Sequence, residues 1–475
     1  MKSGQHLHVL GVCGTAMAAI TALAKAKGWR VSGSDANVYP PMSDYLTHMG
    51  VEIATFSEDN LKPKPDLCLI GNAMSRGNVE VEYILDNDLP YMSGPEFIGR
   101  YILPHRHAAV VAGTHGKTSS ASLLAWVLET AKKQPGFMIG GIPENFGEGA
   151  VIGNSYPLTP FVLEGDEYDT AFFDKRSKFI HYHAKTLILN NLEFDHADIF
   201  KDLDAIKTQF SHLLKTIPQS GHIIANADDA NIMDVIAMGC WTPIVTFSEY
   251  KESNQDGWQW QSLKEDGSHF RLYQNGISVI DAKWESIGKH HVSNACAVAA
   301  AAVSMGVSLK AIQKGFETFK GVRRRMTKVG EANNITIYDD FAHHPTAITG
   351  IVDSVKASMN NNGRLWVLIE PRSNTMRSKI HQEKLPKSLK SADFVIFTPP
   401  SDRNMDKNDL LDVEKVCSEL SHDNVDAKVL KSTQEIINIT VDSAKEGDIV
   451  LILSNGGFEN IHQRLLAAIK EKTNT

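Results

Sequence analysis

The sequence predicts an α/β chain of three domains, on three observations. Its 475 residues are about three times an ordinary domain length. Short apolar β-branched runs alternate with helical runs from one end to the other, the pattern of parallel sheets covered by helices. Two of those runs end in glycine turns that open directly into a helix, at Gly11 and at Gly113. Composition agrees with a soluble globular protein, with 42% hydrophobic and 22% charged residues.

The first domain is expected over 1–106 as a Rossmann-like unit. His6-Leu-His-Val-Leu10 is an apolar strand; Gly11-Val-Cys-Gly14-Thr15 is its turn, and a helix follows through Ala18 to Lys27. A second strand, Trp29 to Gly33, ends at Ser34-Asp35. A βαβ unit with a glycine turn and an acidic residue about 20 residues on suits a nucleotide. The turn is one glycine short of Gly-x-Gly-x-x-Gly, which favours a nucleotide diphosphate over NAD. Asp66 to Gly71 is another strand end, followed by the polar loop Asn72-Ala-Met-Ser75-Arg76.

The second domain, 107–324, is expected to be of the P-loop ATPase type. Val110-Val111-Ala112 leads into Gly113-Thr114-His115-Gly116-Lys117-Thr118-Ser119-Ser120, and a helix follows to Lys133. Glycines let backbone N–H groups close on phosphate oxygens, and a helix N-terminus adds partial positive charge. Lys117 suits the β/γ-phosphates and the Thr118 hydroxyl suits Mg²⁺. The loop is the compact form, with Val111 where the longer pattern has glycine. Phe161-Val-Leu-Glu164-Gly-Asp166-Glu167 and Thr186-Leu-Ile-Leu-Asn190-Asn191-Leu-Glu-Phe-Asp195-His196 are strands that end in carboxylates or imidazole. Such ends beside a phosphate loop suit metal and phosphate ligands; the alternative for Asp195 is a cap on a helix over Ile199 to Leu214. Alternation between Ser248 and Lys283 predicts a small antiparallel hairpin layer. Gly288-Lys-His290-His291-Val-Ser-Asn294 then opens an alanine-rich helix to Met305.

The third domain, 325–475, is expected to be doubly wound. Ile335 to Tyr338 is a strand that runs into Asp339-Asp340-Phe-Ala-His343-His344-Pro345, and Arg364 to Ile369 ends at Glu370-Pro371-Arg372-Ser373-Asn374. Adjacent histidine side chains in a loop diverge, so this pair predicts a turn that orients an arginine or carboxylate rather than a zinc site.

The net charge of −8 gives no electrostatic case for nucleic acid or an anionic membrane. No apolar run approaches the ~20 residues of a membrane span, and no signal peptide precedes the first strand. Cysteines 13, 68, 240, 296 and 417 show no Cys-x-x-Cys and read as reduced thiols. A cytoplasmic protein is expected, as a monomer or weak dimer acting on small molecules. A nicotinamide-dependent oxidoreductase rests on the first segment alone and leaves Gly116-Lys117-Thr118 unexplained. A regulatory nucleotide-binding module is a third class, one that binds ATP without releasing phosphate.

Five motifs occur in order: Gly113 to Thr118, Asn191 to His196, His290 to Asn294, Arg324-Arg325-Met326 and Asp340 to Pro345. Their succession, spanning essentially the whole chain, resembles the Mur ligase family, the ATP-dependent amide-forming enzymes of cell-wall precursor synthesis. The resemblance implies ATP and Mg²⁺ as cofactors. It places Gly113, Thr114, His115, Gly116, Lys117, Thr118, Ser119, His290, Asn294, Arg325 and Asp340 at ATP. Thr118, Glu164 and His196 would surround the metal. Gly11, Gly14, Thr15, Asp35, Asn37 and Ser75 match the part of the first domain that holds a UDP-sugar. His291 stands where the family's His-Asn-x-x-Asn motif has its first asparagine, a departure at the adenine side. Lys117, His196, Arg325, Asp340 and His343 are the implied catalytic set. Glu167 to Lys178, Asn191 to Phe200, Pro371 to Met376 and Ser454 to Phe458 favour a member that joins UDP-N-acetylmuramate to the tripeptide L-Ala-γ-D-Glu-meso-diaminopimelate in muropeptide recycling. A member that adds a single L-alanine is the alternative. Arg372, Ser373 and Asn374 are expected at the peptide, because an arginine there can grip a carboxylate bidentately.

Overall fold

Strand β1 (His6–Leu10) is buried along its whole length, as expected of a run with helices on both faces. The computed structural model describes residues 4–472, apart from 39–41, 196–198, 254–255, 360–362 and 403–404. β1 is followed by helix α1 (Thr15–Ala26), β2 (Arg30–Ser34), β3 (Glu52–Ala54), β4 (Leu67–Ile70) and β5 (Tyr91–Ser93). These strands form one parallel sheet in the order β3-β2-β1-β4-β5. The order reverses between β1 and β4, and ligands of such sheets bind at that reversal, beyond the strand C-termini.

The second sheet has ten strands. They are β6 (His107–Ala112), β7 (Gly136–Met138), β8 (Ala150–Val151), β9 (Pro160–Gly165), β12 (Thr186–Leu189), β13 (His222–Asn226), β14 (Ile244–Glu249), β15 (Trp258–Ser262), β16 (His269–Gln274) and β17 (Ile277–Lys283); β10 (Asp169–Ala171) and β11 (Asp174–Ser177) pair separately. The spatial order is β17-β16-β15-β14-β13-β12-β6-β9-β7-β8. β6 sits between β9 and β12 and is parallel to both. Whatever follows β6 therefore lies beside whatever follows its two neighbours. Helix α2 (Lys117–Thr130) springs from β6. The alanine-rich helix α3 (Lys289–Ser304) buries Ala295 through Ala302 in the same core as Trp258 and Trp260; small side chains let a helix lie close to such large partners.

The structure corrects two sequence expectations. The hairpins over Ser248–Lys283 are antiparallel, but β15 pairs with β14, so they extend the main sheet and form no separate layer. The helix after His196 spans Leu203–Leu214 and is capped by Asp202, whose carboxylate accepts the N–H of Ala205. Asp195 is not its cap.

The third sheet contains β18 (Thr327–Ala332), β19 (Ile335–Asp340), β20 (Leu365–Ile369), β21 (Phe394–Phe397), β22 (Asp426–Val429) and β23 (Ile449–Leu453), in the order β18-β19-β23-β20-β21-β22. Only β18 is antiparallel to its neighbour. Helix α4 (Pro345–Ser358) follows β19. The first two domains share one core, in which Trp29, Phe97 and Tyr101 join Phe179 and Phe210. Among the described residues no helix is long and apolar enough to cross a membrane.

Asp448 anchors the far end of the third sheet. It is 1% exposed and accepts from Arg364 Nη2 at 2.7 Å, Trp366 Nε1 at 2.9 Å and the N–H of Lys445 at 3.0 Å. Burial alone would raise its pKa; hydrogen bonds from Arg364, Lys445 and Trp366 outweigh it and hold the carboxyl below its ordinary value. A carboxylate depressed on folding contributes stability above its unfolded pKa, near about 3.9, and loses it as pH falls through the folded value. Asp448→Ala is expected to destabilise the chain by about 3 kcal/mol at pH 7. In urea melts the gap to the parent should narrow below about pH 4. A gap that stays constant down to pH 3 would contradict this.

Candidate active site

The loop after β6 can only be built with glycines. Gly113 (φ +142°) and Gly116 (φ +79°) lie where a side chain is strained. A Cβ on Gly113 would sit 2.9 Å from the carbonyl oxygen of Asn191, and one on Gly116 would sit 3.0 Å from Asn294 Oδ1. The segment after β12 clamps the loop: Asn191 Oδ1 accepts the N–H of His115 at 2.7 Å, and Thr114 Oγ1 accepts the N–H of Glu193 at 2.8 Å. Among the described residues no side chain caps α2, so its first N–H groups face whatever enters the loop.

Lys117 Nζ donates to the carbonyl of Gly113 at 2.7 Å and pairs with Glu167 at 3.2 Å. Burial works against its charge, but Glu167, Asp166 and Glu164 more than restore it, and its pKa lies above the ordinary lysine value. Glu164 ends β9, opposite Val111 on β6. Its carboxylate accepts the Thr118 hydroxyl at 3.1 Å and the N–H of Gly140 at 2.7 Å. Its pKa is raised by burial and then by Asp166.

The third domain closes the other side. Arg324 and Arg325 point apart. Arg324 donates to the carbonyls of Ser454 and Gly456 at 2.8 and 2.6 Å and so braces the third domain. Arg325 lies over the Phe341 ring at 4.8 Å and places Nη2 3.4 Å from Thr118 Oγ1. Asp340 accepts the N–H groups of Met326 and Ala342, both at 2.7 Å. Burial raises its pKa to about 6, against the pull of Arg325.

The result is a cavity of about 330 Å³ lined by residues 114–119, Glu164, His290, Asn294, Arg325, Asp340 and His343, among others. Of the residues expected at ATP, Gly113 alone lies outside this lining, and it hydrogen-bonds to Lys117 from below. His290 is held neutral by burial, its pKa lowered to about 4. His343, also lowered by burial, has Nδ1 2.9 Å from the carbonyl of Phe341. His196 lies outside the described residues.

The residues expected at the UDP-sugar gather elsewhere, at the β1/β4 reversal. Asp35 accepts the N–H groups of Cys13 and Asn37 at 3.0 and 2.9 Å, so its carboxylate shapes the Gly11–Gly14 turn. Thr15 opens α1, which has no side-chain cap. The Ser75 loop lies beside them, and a Cβ on Gly11 would meet Met74 at 3.3 Å.

Of the three residues expected at the peptide, two are engaged locally. Ser373 Oγ accepts the N–H of Met376, and Asn374 Oδ1 accepts from Arg377. Arg372 projects, with its side chain 57% exposed and Nη1 3.8 Å from Glu370. A Cβ on Gly456 would collide with the Arg372 side chain at 2.3 Å, so the glycine turn after β23 is the seat of that arginine.

Sequence reasoning left Glu193, His344 and Gly456 out of the site. Glu193 is signalled by standing two residues beyond Asn191 on the strand end beside the phosphate loop. His344 and Gly456 stand in runs the sequence marks, but their partners lie across domains or loops, which the runs do not record.

An uncapped phosphate loop facing an arginine on a separate α/β domain defines a three-domain P-loop protein. Three family models match in order: "Mur ligase family, catalytic domain" over 6–106, "Mur ligase middle domain" over 111–302 and "Mur ligase, glutamate ligase domain" over 324–456. The chain belongs to the Mur ligase family. It is 43% identical over 467 residues to the UDP-N-acetylmuramate–L-alanyl-γ-D-glutamyl-meso-2,6-diaminoheptandioate ligase of Escherichia coli, covering 98% of both chains. It is 40% identical over 469 residues to the Haemophilus influenzae protein of the same name, covering 98% of this chain and all of that one. The crystal structure of a murein peptide ligase from Psychrobacter arcticus superposes with a TM-score of 0.73 at 42% identity, covering 98% of this chain and 99% of that one.

Proposed function

We propose that this chain joins the lactyl carboxylate of UDP-N-acetylmuramate to the L-alanine amine of L-Ala-γ-D-Glu-meso-diaminopimelate, with ATP converted to ADP and phosphate. The observation that carries the reading is the convergence of Lys117, Thr118, Glu164 and Arg325 on one cavity between two domains. The two named relatives at 40% and 43% identity carry this reaction in their names, which favours the tripeptide over a single L-alanine as acceptor. The labour is divided among three domains, with 1–106 for the UDP-sugar, 107–324 for ATP and 325–475 for the acceptor.

A carboxylate is a poor acylating agent and must be activated. Its oxygen attacks the γ-phosphorus of ATP, ADP leaves, and an acyl phosphate results. The neutral amine then attacks the carbonyl carbon and inorganic phosphate departs. Lys117 and Arg325 hold the charge of the phosphoryl group in transit, where most of the catalysis of such transfers resides. His343 lines the cavity as a half-buried imidazole, suited to take a proton from the incoming ammonium.

Thr118 Oγ1 and the Glu164 carboxylate fit Mg²⁺. They offer hard oxygen donors 3.1 Å apart. Glu164 carries a pKa raised by burial and by Asp166, and a divalent cation beside it offsets that cost of its charge. When bound, Mg²⁺ supplies charge neutralisation at the β- and γ-phosphates. His196 completes the proposed ligand set.

Arg372 reads the far carboxylate of the tripeptide, which a single alanine cannot reach. Arg372→Ala is expected to raise the tripeptide KM by about tenfold or more, with ATP binding unchanged by calorimetry. An unchanged tripeptide KM would remove Arg372 from the acceptor site.

A further inference from the structure

We propose that His115, Glu193 and His344 form a site for a divalent transition cation of the zinc class, which ties the third domain to the phosphate loop. One ligating atom from each lies within 4.8 Å of the other two. His115 Nε2 is 3.6 Å from Glu193 Oε2, and His344 Nδ1 is 3.4 Å from the same oxygen. Two imidazoles and one carboxylate are a borderline donor set, suited to zinc and its neighbours and ill suited to magnesium. The site shares no residue with the oxygen pair of Thr118 and Glu164.

Two observations point to a cation there. His115 Nε2 is buried and makes no hydrogen bond among the described residues. His344 Nδ1 accepts the N–H of Thr346 at 3.3 Å as the N-cap of α4. In that tautomer Nδ1 and the Glu193 oxygen are two acceptors 3.4 Å apart, and a cation between them resolves the mismatch by taking the single Nδ1 lone pair from the Thr346 N–H.

The three ligands come from separate places: the phosphate loop, the segment after β12, and the N-cap of α4. Glu193 is already fixed across the domain boundary, accepting the Thr346 hydroxyl at 2.7 Å. A metal here crosslinks the second and third domains in their closed arrangement. Only one histidine of the His343-His344 pair takes part, as diverging neighbours require.

The test is calorimetric titration of the chelator-treated full chain with ZnCl₂, with MgCl₂ in parallel, and visible absorbance after Co²⁺ addition. One zinc per chain is expected, retained in excess magnesium, and Co²⁺ should give ligand-field bands. Glu193→Gln and His344→Asn should each weaken zinc binding by about tenfold or more and abolish the Co²⁺ bands. Asparagine can still accept the Thr346 N–H, so the metal-free melting curve of His344→Asn should match the parent. No stoichiometric zinc, or zinc held equally well by both variants, would overturn the site.

Discussion

Replacing Lys117 with alanine is expected to lower phosphate release by about 10³-fold or more while leaving UDP-sugar binding intact. Lys117 is the one cation in the phosphate loop itself, and its ammonium is already placed by Gly113 and Glu167. Glu167, only 2% exposed, keeps it charged, so its side chain needs no reorganisation when phosphates arrive. The UDP-sugar candidates lie on a different sheet, at the β1/β4 reversal. The variant should therefore bind the nucleotide sugar in calorimetry like the parent and fail in turnover. Near-normal turnover would remove the phosphate-loop assignment.

Arg325→Ala is the second large effect, about 10³-fold in turnover. The arginine reaches from the third domain to within 3.4 Å of Thr118, and it is held by the Phe341 face and by proximity to Asp340. Its neighbour Arg324 spends its donors on Ser454 and Gly456, so the two should separate in assay. Arg325→Ala should lose turnover with an unchanged melting temperature, whereas Arg324→Ala should lower the melting temperature. Lysine at 325 should restore little, because one ammonium does not reproduce a planar fork of donors. Equal loss of stability in both variants would make Arg325 a structural residue.

Much of this was legible in the sequence, for physical reasons. A strand that ends at Gly113 and a helix that begins at Lys117 leave few conformations for what lies between. Glu164 was legible because strand-end carboxylates in a parallel sheet gather at one edge. Arg325 was marked by the family motif, although nothing local separates it from Arg324; only the positive φ of Arg324 and its bonds to the β23 turn send the two side chains apart. Ser373 and Asn374 illustrate the opposite case. Polar residues at a helix start serve ligand and cap equally well on paper, and the structure engages both locally. For Asp195 the alternative of a helix cap falls away, since Asp202, seven residues on, takes that place. His344 and Glu193 meet only across a domain boundary, and no spacing in the chain records that.

The proposed reaction pairs ATP-driven carboxylate activation with a peptide acceptor. It is tested most directly by phosphate release from Mg-ATP and UDP-N-acetylmuramate, with L-Ala-γ-D-Glu-meso-diaminopimelate or L-alanine as acceptor. Strong release is expected with the tripeptide and little with alanine. Release driven by alanine, with none from the tripeptide, would contradict it.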